Sequence, residues 1–370
     1  MIRKTIFWLH LVSGVAVGLV VAMMSITGVL LTYEQQLVAW ADAKSWPEPQ
    51  QGSERMKVDD IIASASAAGV NTSRITWYSE VNAPVLAGGG RRAPSTYIDA
   101  YNGADLGRSK NAMRRAMQSL TAWHRWFAAT GDSRLTARMI TGISNLTFLF
   151  LIVSGAYLWL PKIFRWPQLR QRLRFAKQYR NWKERDFYWH HVFAAWSIVP
   201  LIVIVTTAVV ISFPWAGKIL TDFAGDGTGR PVETDVAPVS ADADRLSLDE
   251  LLARARSESD GWQSIALTIP RENSEVVSFE VNKGSGRQPY KLNTLVLNAY
   301  TGEVVDTGRF SDRAPAFRAR FWNRFLHTGE SFGVIGQTVA GLATLASLFL
   351  VWTGFALAWR RLIMPLYRRR

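Results

Sequence analysis

The chain has 370 residues, of which 48% are hydrophobic and none is cysteine, and its formal net charge is +14. The absence of cysteine excludes sites built on thiolates, namely Cys-ligated zinc, iron–sulfur clusters and covalently attached c-type haem. The basic residues are concentrated in short stretches beside apolar segments, a pattern that favours contact with anionic membrane lipid and argues against a nucleic-acid partner.

Four apolar windows interrupt an otherwise mixed sequence. Each is close to the length of about 20 residues that a helix needs to cross a bilayer. We therefore predict four transmembrane helices, at 5–33, 137–160, 187–213 and 334–358. The first is too long for a signal peptide and no small-residue cleavage site follows it, so we expect it to remain as a span.

Basic residues in short loops indicate the orientation. The loop 161–186 carries nine Lys or Arg, beginning with Lys162, and the tail 359–370 contributes five more arginines. These are Arg360, Arg361, Arg368, Arg369 and Arg370. Because such stretches are retained in the cytoplasm, we predict a multi-pass protein of a bacterial-type inner membrane with both termini cytoplasmic.

The two long regions 34–115 and 214–313 are then periplasmic, and their predicted elements follow the same order. Each contains a short amphipathic helix, which begins at Val58 in the first region and at Leu248 in the second. Strand-like runs follow at 75–78, 96–101, 265–269, 276–281 and 294–300. The ending Ala-Tyr-x-Gly closes both regions, at 100–103 and 299–302. We predict one small α+β module in each.

Each module is followed by an aromatic, amphipathic segment with a single histidine. These interfacial segments are 116–136, with His124, and 314–333, with His327.

The spans repeat as well. Residues 187–190 match 7–10, and Thr207-Ala208-Val209 matches Thr27-Gly28-Val29, while spans two and four end alike at Ser154-Gly155 and Thr353-Gly354. We predict a membrane α+β fold, a four-helix bundle built from two tandem repeats.

The five histidines fall at two depths. His10, His190 and His191 lie near the inner ends of spans one and three, whereas His124 and His327 lie at the outer interface. Ionisable residues within spans are functional by default, and one imidazole from each half at a common depth can fill the two axial positions of a b-type haem. We predict two such haems, an inner one on His10 and His190 and an outer one on His124 and His327.

Small residues near the inner ligands support this hypothesis. Gly14 and Ala194 lie one helical turn after His10 and His190 and leave room for a flat macrocycle. His191 has no counterpart in the first half, so we favour His190 as the ligand and place His191 beside it. Zinc is disfavoured because no carboxylate accompanies these histidines.

Arginines accompany the outer histidines. Arg125, Arg134 and Arg324 are placed to pair with the anionic propionates of an outer haem. Contacts with lipid headgroups explain them equally well.

In several motifs the chain resembles the PepSY-associated transmembrane proteins, a family that includes inner-membrane ferric-siderophore reductases. The motifs are Leu9-His10-x-x-x-Gly14 with Thr27-Gly28, the two Ala-Tyr-x-Gly endings, Ser154-Gly155-x-Tyr157-x-Trp159, and Phe325-Leu326-His327-Thr328-Gly329. The resemblance covers nearly the whole chain. It implies a haem-dependent oxidoreductase that takes electrons from quinol or a cytoplasmic reductase, reduces a periplasmic ferric siderophore and releases its iron.

The chain departs from the family pattern in places. His191 stands where Asn is common, Ala194 replaces Gly, and additional residues separate His124 from its span.

Two other hypotheses remain open. One is a non-enzymatic, membrane-anchored binding or regulatory protein of the PepSY type, and the other is a cytochrome b subunit that passes electrons to a redox partner. The sequence has no GxGxxG in a βα context and no cytosolic region large enough for flavin or nicotinamide. Any reductant must therefore come from quinol or a partner protein.

Overall fold

The computed structural model describes residues 1–50, 52–88, 95–107, 111–161, 165–230, 244–271 and 273–367. The predicted basic residues Lys162, Arg368, Arg369 and Arg370 lie outside this part of the chain. The chain forms two compact units. The first comprises Met1–Glu34, Ala116–Phe223 and Trp322–Arg370, and the second comprises Gln35–Arg115 and Ala224–Phe321.

The helices are α1 (Ile2–Leu30), α2 (Glu34–Ala43), α3 (Val58–Ala67), α4 (Ala112–Trp126), α5 (Ser133–Trp159), α6 (Trp166–Leu173), α7 (Trp182–Ser212), α8 (Pro214–Ala224), α9 (Leu248–Ser257), α10 (Pro315–His327), α11 (Gly333–Leu362) and α12 (Met364–Tyr367). The strands are β1 (Arg74–Tyr78), β2 (Val85–Gly88), β3 (Ser95–Ile98), β4 (Asp105–Gly107), β5 (Ser264–Thr268), β6 (Val276–Asn282), β7 (Leu292–Asn298) and β8 (Val304–Arg309).

The first unit is a helical bundle. Within the described residues, four helical segments are long and apolar enough to cross a membrane: Ile2–Leu30, Ser133–Trp159, Trp182–Ser212 and Glu330–Tyr367. The four predicted spans are therefore present, and the chain is a membrane α+β protein. Residues 214–223, which the sequence analysis assigned to the second module, belong to this helical unit because α8 continues directly from α7.

The packing of the bundle places its helices in a ring. Both α1 and α7 pack against α5 and α11, so α1 and α7 occupy opposite corners. Small polar side chains join the helices where they meet. Ser25 and Ser347 share a hydrogen bond of 2.7 Å, and Asn145 Nδ2 donates to the carbonyl of Val205 at 3.1 Å. In an apolar surrounding such bonds fix the register of neighbouring helices.

The second unit contains an antiparallel sheet of eight strands among the described residues, in the order β4-β3-β2-β1-β5-β6-β7-β8. The two halves of the chain join where β1 pairs with β5, from Arg74 opposite Thr268 to Tyr78 opposite Ser264. The sequence predicted a separate module in each of the two regions. Their strands form one sheet because β1 and β5 each offer an edge of unpaired backbone groups that the other satisfies.

Helices α3 and α9 cover one face of this sheet. Ile61 of α3 and Leu251 of α9 pack with Ile75, Phe279 and Leu297 from the strands, and all five side chains are fully buried. The two helices also contact each other, since the Asp249 carboxylate accepts the backbone N–H of Val58 at 3.1 Å. Burial of alternate strand residues accounts for the strand periodicity seen in the sequence.

Polar side chains lie on the opposite face of the sheet. Glu280 accepts hydrogen bonds from Arg74 at 2.8 Å and from Arg313 at 2.6 Å. Burial alone would raise the pKa of Glu280, but the charge of Arg74 and the hydrogen bond and charge of Arg313 hold that pKa below its usual value. The Glu280 carboxylate of β6 therefore links β1 to the segment that follows β8.

Candidate functional site

The inner histidine of α1 is hydrogen-bonded to a hydroxyl on the neighbouring span. His10 Nδ1 lies 2.9 Å from Ser154 Oγ, and Ser154 Oγ in turn donates to the Phe150 carbonyl at 2.7 Å. A serine hydroxyl has one proton, so Ser154 can only accept from the imidazole. Nδ1 of His10 therefore carries the proton, and Nε2 keeps a lone pair.

The inner histidine of α7 has the same arrangement. His190 Nδ1 lies 2.9 Å from Thr353 Oγ1, whose proton is donated to the Phe349 carbonyl at 2.6 Å. The imidazole again donates through Nδ1 and keeps a lone pair on Nε2. An N–H fixed by a neighbouring acceptor is what orients a metal-ligating histidine and sets its tautomer.

Glycines lie beside both imidazoles on the neighbouring helices, and at Gly155 a larger residue would crowd the ring. A Cβ added to Gly155 would stand 3.2 Å from His10 Cε1, and one added to Gly354 would stand 3.7 Å from His190 Cε1. Each glycine directly follows the hydroxyl residue that holds the ring. The matched Ser-Gly and Thr-Gly pairs of the sequence thus have a common role, which the sequence analysis did not assign.

The outer histidine of α4 is held in the same way. His124 Nδ1 lies 2.9 Å from Thr27 Oγ1, and Thr27 donates to the Met23 carbonyl at 2.8 Å. Gly28 follows Thr27, and a Cβ added there would lie 3.5 Å from His124 Cε1. The lone pair of His124 is again on Nε2.

The outer histidine of α10 uses a backbone acceptor instead. His327 Nδ1 donates to the Ile204 carbonyl at 2.9 Å, while Thr207 Oγ1, the counterpart of Thr27, is 3.4 Å away. A carbonyl can only accept, so this ring has the same tautomer as the other three.

The two outer histidine rings lie close together. The ring centres of His124 and His327 are 6.4 Å apart and the ring planes are inclined by 55°. A metal–nitrogen bond is about 2 Å long. With ring bonds of about 1.33 Å, an imidazole nitrogen lies about 1.1 Å from its ring centre. Two imidazoles on opposite sides of one metal ion therefore have ring centres about 6 Å apart. The observed distance is close to this value, and the fold brings the predicted outer pair together.

The inner pair is arranged less closely. Among the described histidines, ring contacts join His124 to His327 and His190 to its neighbour His191, and none joins His10 to His190. They lie on the diagonal helices α1 and α7, each held by the neighbouring corner helix. The structure therefore places them on opposite corners of the bundle without direct contact.

His191 differs from the four histidines above. Its Nδ1 donates to the carbonyl of Phe187 in its own helix at 2.8 Å, and its ring packs 4.2 Å from the Phe187 ring. In the described part of the chain its imidazole makes no hydrogen bond to another span. Its orientation is therefore set within α7 alone, whereas His190 is held from α11.

The outer histidine pair is neutral. Burial and the neighbouring His327 lower the pKa of His124 to about 4, and burial also lowers the pKa of His327. Both rings consequently retain their Nε2 lone pairs at neutral pH.

Arginines gather beside this pair. The predicted residues Arg125, Arg134 and Arg324 come together, and Arg138, one turn after Arg134 on α5, joins them. Burial lowers the pKa of Arg125, and so do the positive charges of Arg324, Arg138 and Arg134. In the described chain no carboxylate forms a salt bridge with any of the four. Mutually repelling cations without an acidic partner fit an anionic ligand.

Protein packing does not require the small residue at position 14, near the inner histidines. A Cβ added to Gly14 would meet Leu151 Cδ2 at 3.9 Å, an ordinary contact, and Ala194 is half-buried. Space for a ligand therefore remains an explanation for Gly14.

A bundle of four membrane-length helices with imidazoles hydrogen-bonded between them, together with an antiparallel sheet unit, defines an integral membrane protein with a candidate metal-ligand set. The family model of the PepSY-associated TM region matches residues 7–361. The chain belongs to this family. A comparison with curated proteins gives no match.

Proposed function

We propose that this protein is a di-haem b oxidoreductase of a bacterial-type inner membrane that reduces a periplasmic ferric siderophore and releases its iron. Both termini are cytoplasmic and the sheet unit is periplasmic in this proposal. The observation that carries it is the outer histidine pair, whose ring centres are 6.4 Å apart and whose Nε2 atoms both carry lone pairs. Haem, when bound, supplies a one-electron carrier.

The proposal includes a tandem repeat in which each half contributes one ligand to each haem. The hydrogen bonds support this symmetry. His10 bonds to Ser154 as His190 bonds to Thr353, both at 2.9 Å. In the outer pair Thr27 Oγ1 lies 2.9 Å from His124 Nδ1, and its counterpart Thr207 Oγ1 lies 3.4 Å from His327 Nδ1, beside the nearer Ile204 carbonyl.

The residues of the chain have distinct tasks. The hydroxyls and the Ile204 carbonyl hold each Nδ1–H, so that Nε2 is presented in one orientation to iron. His10 and His190 hold the inner haem, and Gly14 and Ala194 leave space beside it.

The arginine cluster, Arg125, Arg134, Arg138 and Arg324, neutralises the propionates of the outer haem. A guanidinium can form two parallel hydrogen bonds to a carboxylate. Burial of the imidazoles keeps them neutral and available for iron.

Ferric siderophores suit such a reductase. Oxygen ligands hold hard ferric iron tightly and ferrous iron weakly, so transfer of one electron releases the metal without cleavage of the ligand. The electron comes from quinol or a cytoplasmic reductase, and the sheet unit provides the docking surface for the chelate.

Purification in detergent followed by a pyridine haemochrome spectrum tests the proposal. We expect about two haems per chain, because the proposal assigns one pair of histidines to each haem. The variants His124→Ala and His327→Ala should each lose one haem. The variant Trp196→Phe, at an exposed position, is the matched control and should retain two haems. A folded protein without haem would refute the proposal.

Reduced protein mixed with ferric siderophore under anaerobic conditions separates a reductase from a passive cytochrome. We expect reoxidation of the haems together with formation of ferrous iron. Haem that stays reduced in the presence of the chelate would favour the cytochrome b subunit hypothesis instead.

A further inference from the structure

Helix α8 carries apolar side chains that the described chain leaves uncovered. Trp215, Ile219 and Phe223 have exposed fractions of 53%, 61% and 92%. Their spacing of four residues places them in one stripe along the helix. Large apolar groups that remain together at the surface mark an interaction surface.

The position of α8 indicates what this stripe meets. Helix α7 ends at Ser212, the next residue Phe213 has an extended backbone, with φ −113° and ψ 122°, and Pro214 is the first residue of α8. An extended residue before proline and a proline at the first helical position end one helix and begin another. The chain therefore leaves the axis of α7 at the end of a membrane-length helix.

The remaining side chains of α8 fit this position. Ala216 is buried, and a Cβ added to Gly217 would lie 3.6 Å from the Val210 carbonyl of α7, so one side of α8 packs against the end of α7. Lys218 and Asp222 form an exposed ion pair at 2.6 Å along one edge of the stripe. An apolar stripe bordered by charges is typical of helices that lie in the plane of a membrane surface, and Trp is enriched at that level.

We propose that α8 is a membrane-surface anchor, with Trp215, Ile219 and Phe223 inserted among lipid acyl chains and the Lys218–Asp222 pair toward water. Lipid is the occupant because the stripe continues directly from a membrane-spanning helix, so the bilayer around α7 reaches it. The proposal does not depend on haem binding.

Single-cysteine variants test this directly, because the chain contains no cysteine. Ile219→Cys and Phe223→Cys, with Lys218→Cys as the matched control, are spin-labelled and placed in nanodiscs of phosphatidylethanolamine and phosphatidylglycerol. Nanodiscs expose both membrane surfaces equally. We expect the labels at 219 and 223 to be several-fold more accessible to oxygen than to a water-soluble nickel chelate, and the label at 218 to show the reverse.

Two results would overturn the proposal. Labels at 219 and 223 that are as accessible to nickel as the label at 218 would place the stripe in water. Labels that neither reagent reaches, or that show dipolar coupling between chains, would assign it to a protein contact such as a second copy. Two stripe positions are used so that poor folding of one variant leaves the other to decide.

Discussion

A Ser or Thr hydroxyl that donates its proton in one hydrogen bond can only accept in a second hydrogen bond. Ser154, Thr353 and Thr27 each donate to a carbonyl of their own helix and so accept from an imidazole Nδ1–H. The sequence showed these positions as matched pairs, Ser154-Gly155 with Thr353-Gly354 and Thr27-Gly28 with Thr207-Ala208. Their role was not predictable, because a hydrogen bond between residues 97 to 163 positions apart depends on which helices become neighbours.

Ser154→Ala tests this role. Loss of the acceptor for the His10 Nδ1–H makes the imidazole a weaker electron donor to iron, so we expect the midpoint potential of the inner haem to rise. A tenfold change in the one-electron equilibrium is about 59 mV. Redox titration with optical detection measures the midpoint potential. Ser154→Thr is the control, since Thr353 shows that a threonine hydroxyl holds the same bond, and it should leave the potential unchanged.

The two adjacent histidines of α7 give a second prediction. His190 is held from α11 by Thr353, whereas His191 bonds only to Phe187 of its own helix. We therefore expect His190→Ala to lose one of two haems and His191→Asn to retain both in the haemochrome assay. Equal loss of haem from both variants would contradict the assignment of His190 as the ligand.

At the scale of elements, the connection from α10 to α11 depends on a close backbone approach. A Cβ added to Gly336 would lie 2.2 Å from the carbonyl oxygen of Gly329, and one added to Gly329 would lie 2.3 Å from that of Gly336. Gly329 has φ +75°, a conformation that glycine adopts without strain. This contact fixes the end of α10, two residues after His327.

Substitution of Gly336 should therefore act on the outer histidine pair. Gly336→Ala forces the start of α11 away from α10, and we expect it to destabilise the protein by about 2 to 4 kcal/mol and to lose the outer haem before the inner one. Thermal unfolding and the haemochrome spectrum report the two effects. Gly217→Ala is the control, because a Cβ there meets only an ordinary contact of 3.6 Å; loss of haem from both variants alike would argue against a local effect.

The sheet gives a pH prediction. The pKa of Glu280 is held below its unfolded value, so its ion pairs stabilise the sheet above the unfolded pKa of about 4.3, and this stabilisation is lost as the pH falls through the lower folded pKa. We expect protection of β6 from hydrogen exchange to decrease in this acid range. Glu280→Gln should show weaker protection at neutral pH, by about 1 kcal/mol, and a smaller acid dependence.

Secondary structure was predictable from the sequence where the hydrophobic pattern was strong. The four spans, α3, α9 and strands β1, β3, β5, β6 and β7 all correspond to predicted elements. Strands β2 and β4 were not predicted because they have only four and three residues, too few for a periodic signal. Strand β8 and helix α8 were not predicted either. The arginine Arg138 was missed for another reason, since its proximity to Arg125 arises from the packing of α4 near α5.

At the scale of the whole molecule, the β1–β5 pairing ties the two halves of the chain together. We expect halves 1–180 and 181–370, expressed together as separate chains, to copurify, since the antiparallel ladder from Arg74–Thr268 to Tyr78–Ser264 does not need the covalent link. Copurification on a tag placed on one half measures this. Proline at Ala266, which removes a ladder N–H, should weaken it, and recovery of one half alone would contradict a shared sheet.

The same pairing has a consequence for biosynthesis. Strand β1 ends at Tyr78, but its partner β5 begins only at Ser264. At 5 to 20 residues per second the ribosome needs about 10 to 40 s to bridge that interval. During this time the edge of β1 in the nascent first half is unpaired, and such an edge recruits chaperones or starts aggregation. Premature termination within that interval should therefore yield an insoluble fragment and not a smaller working protein.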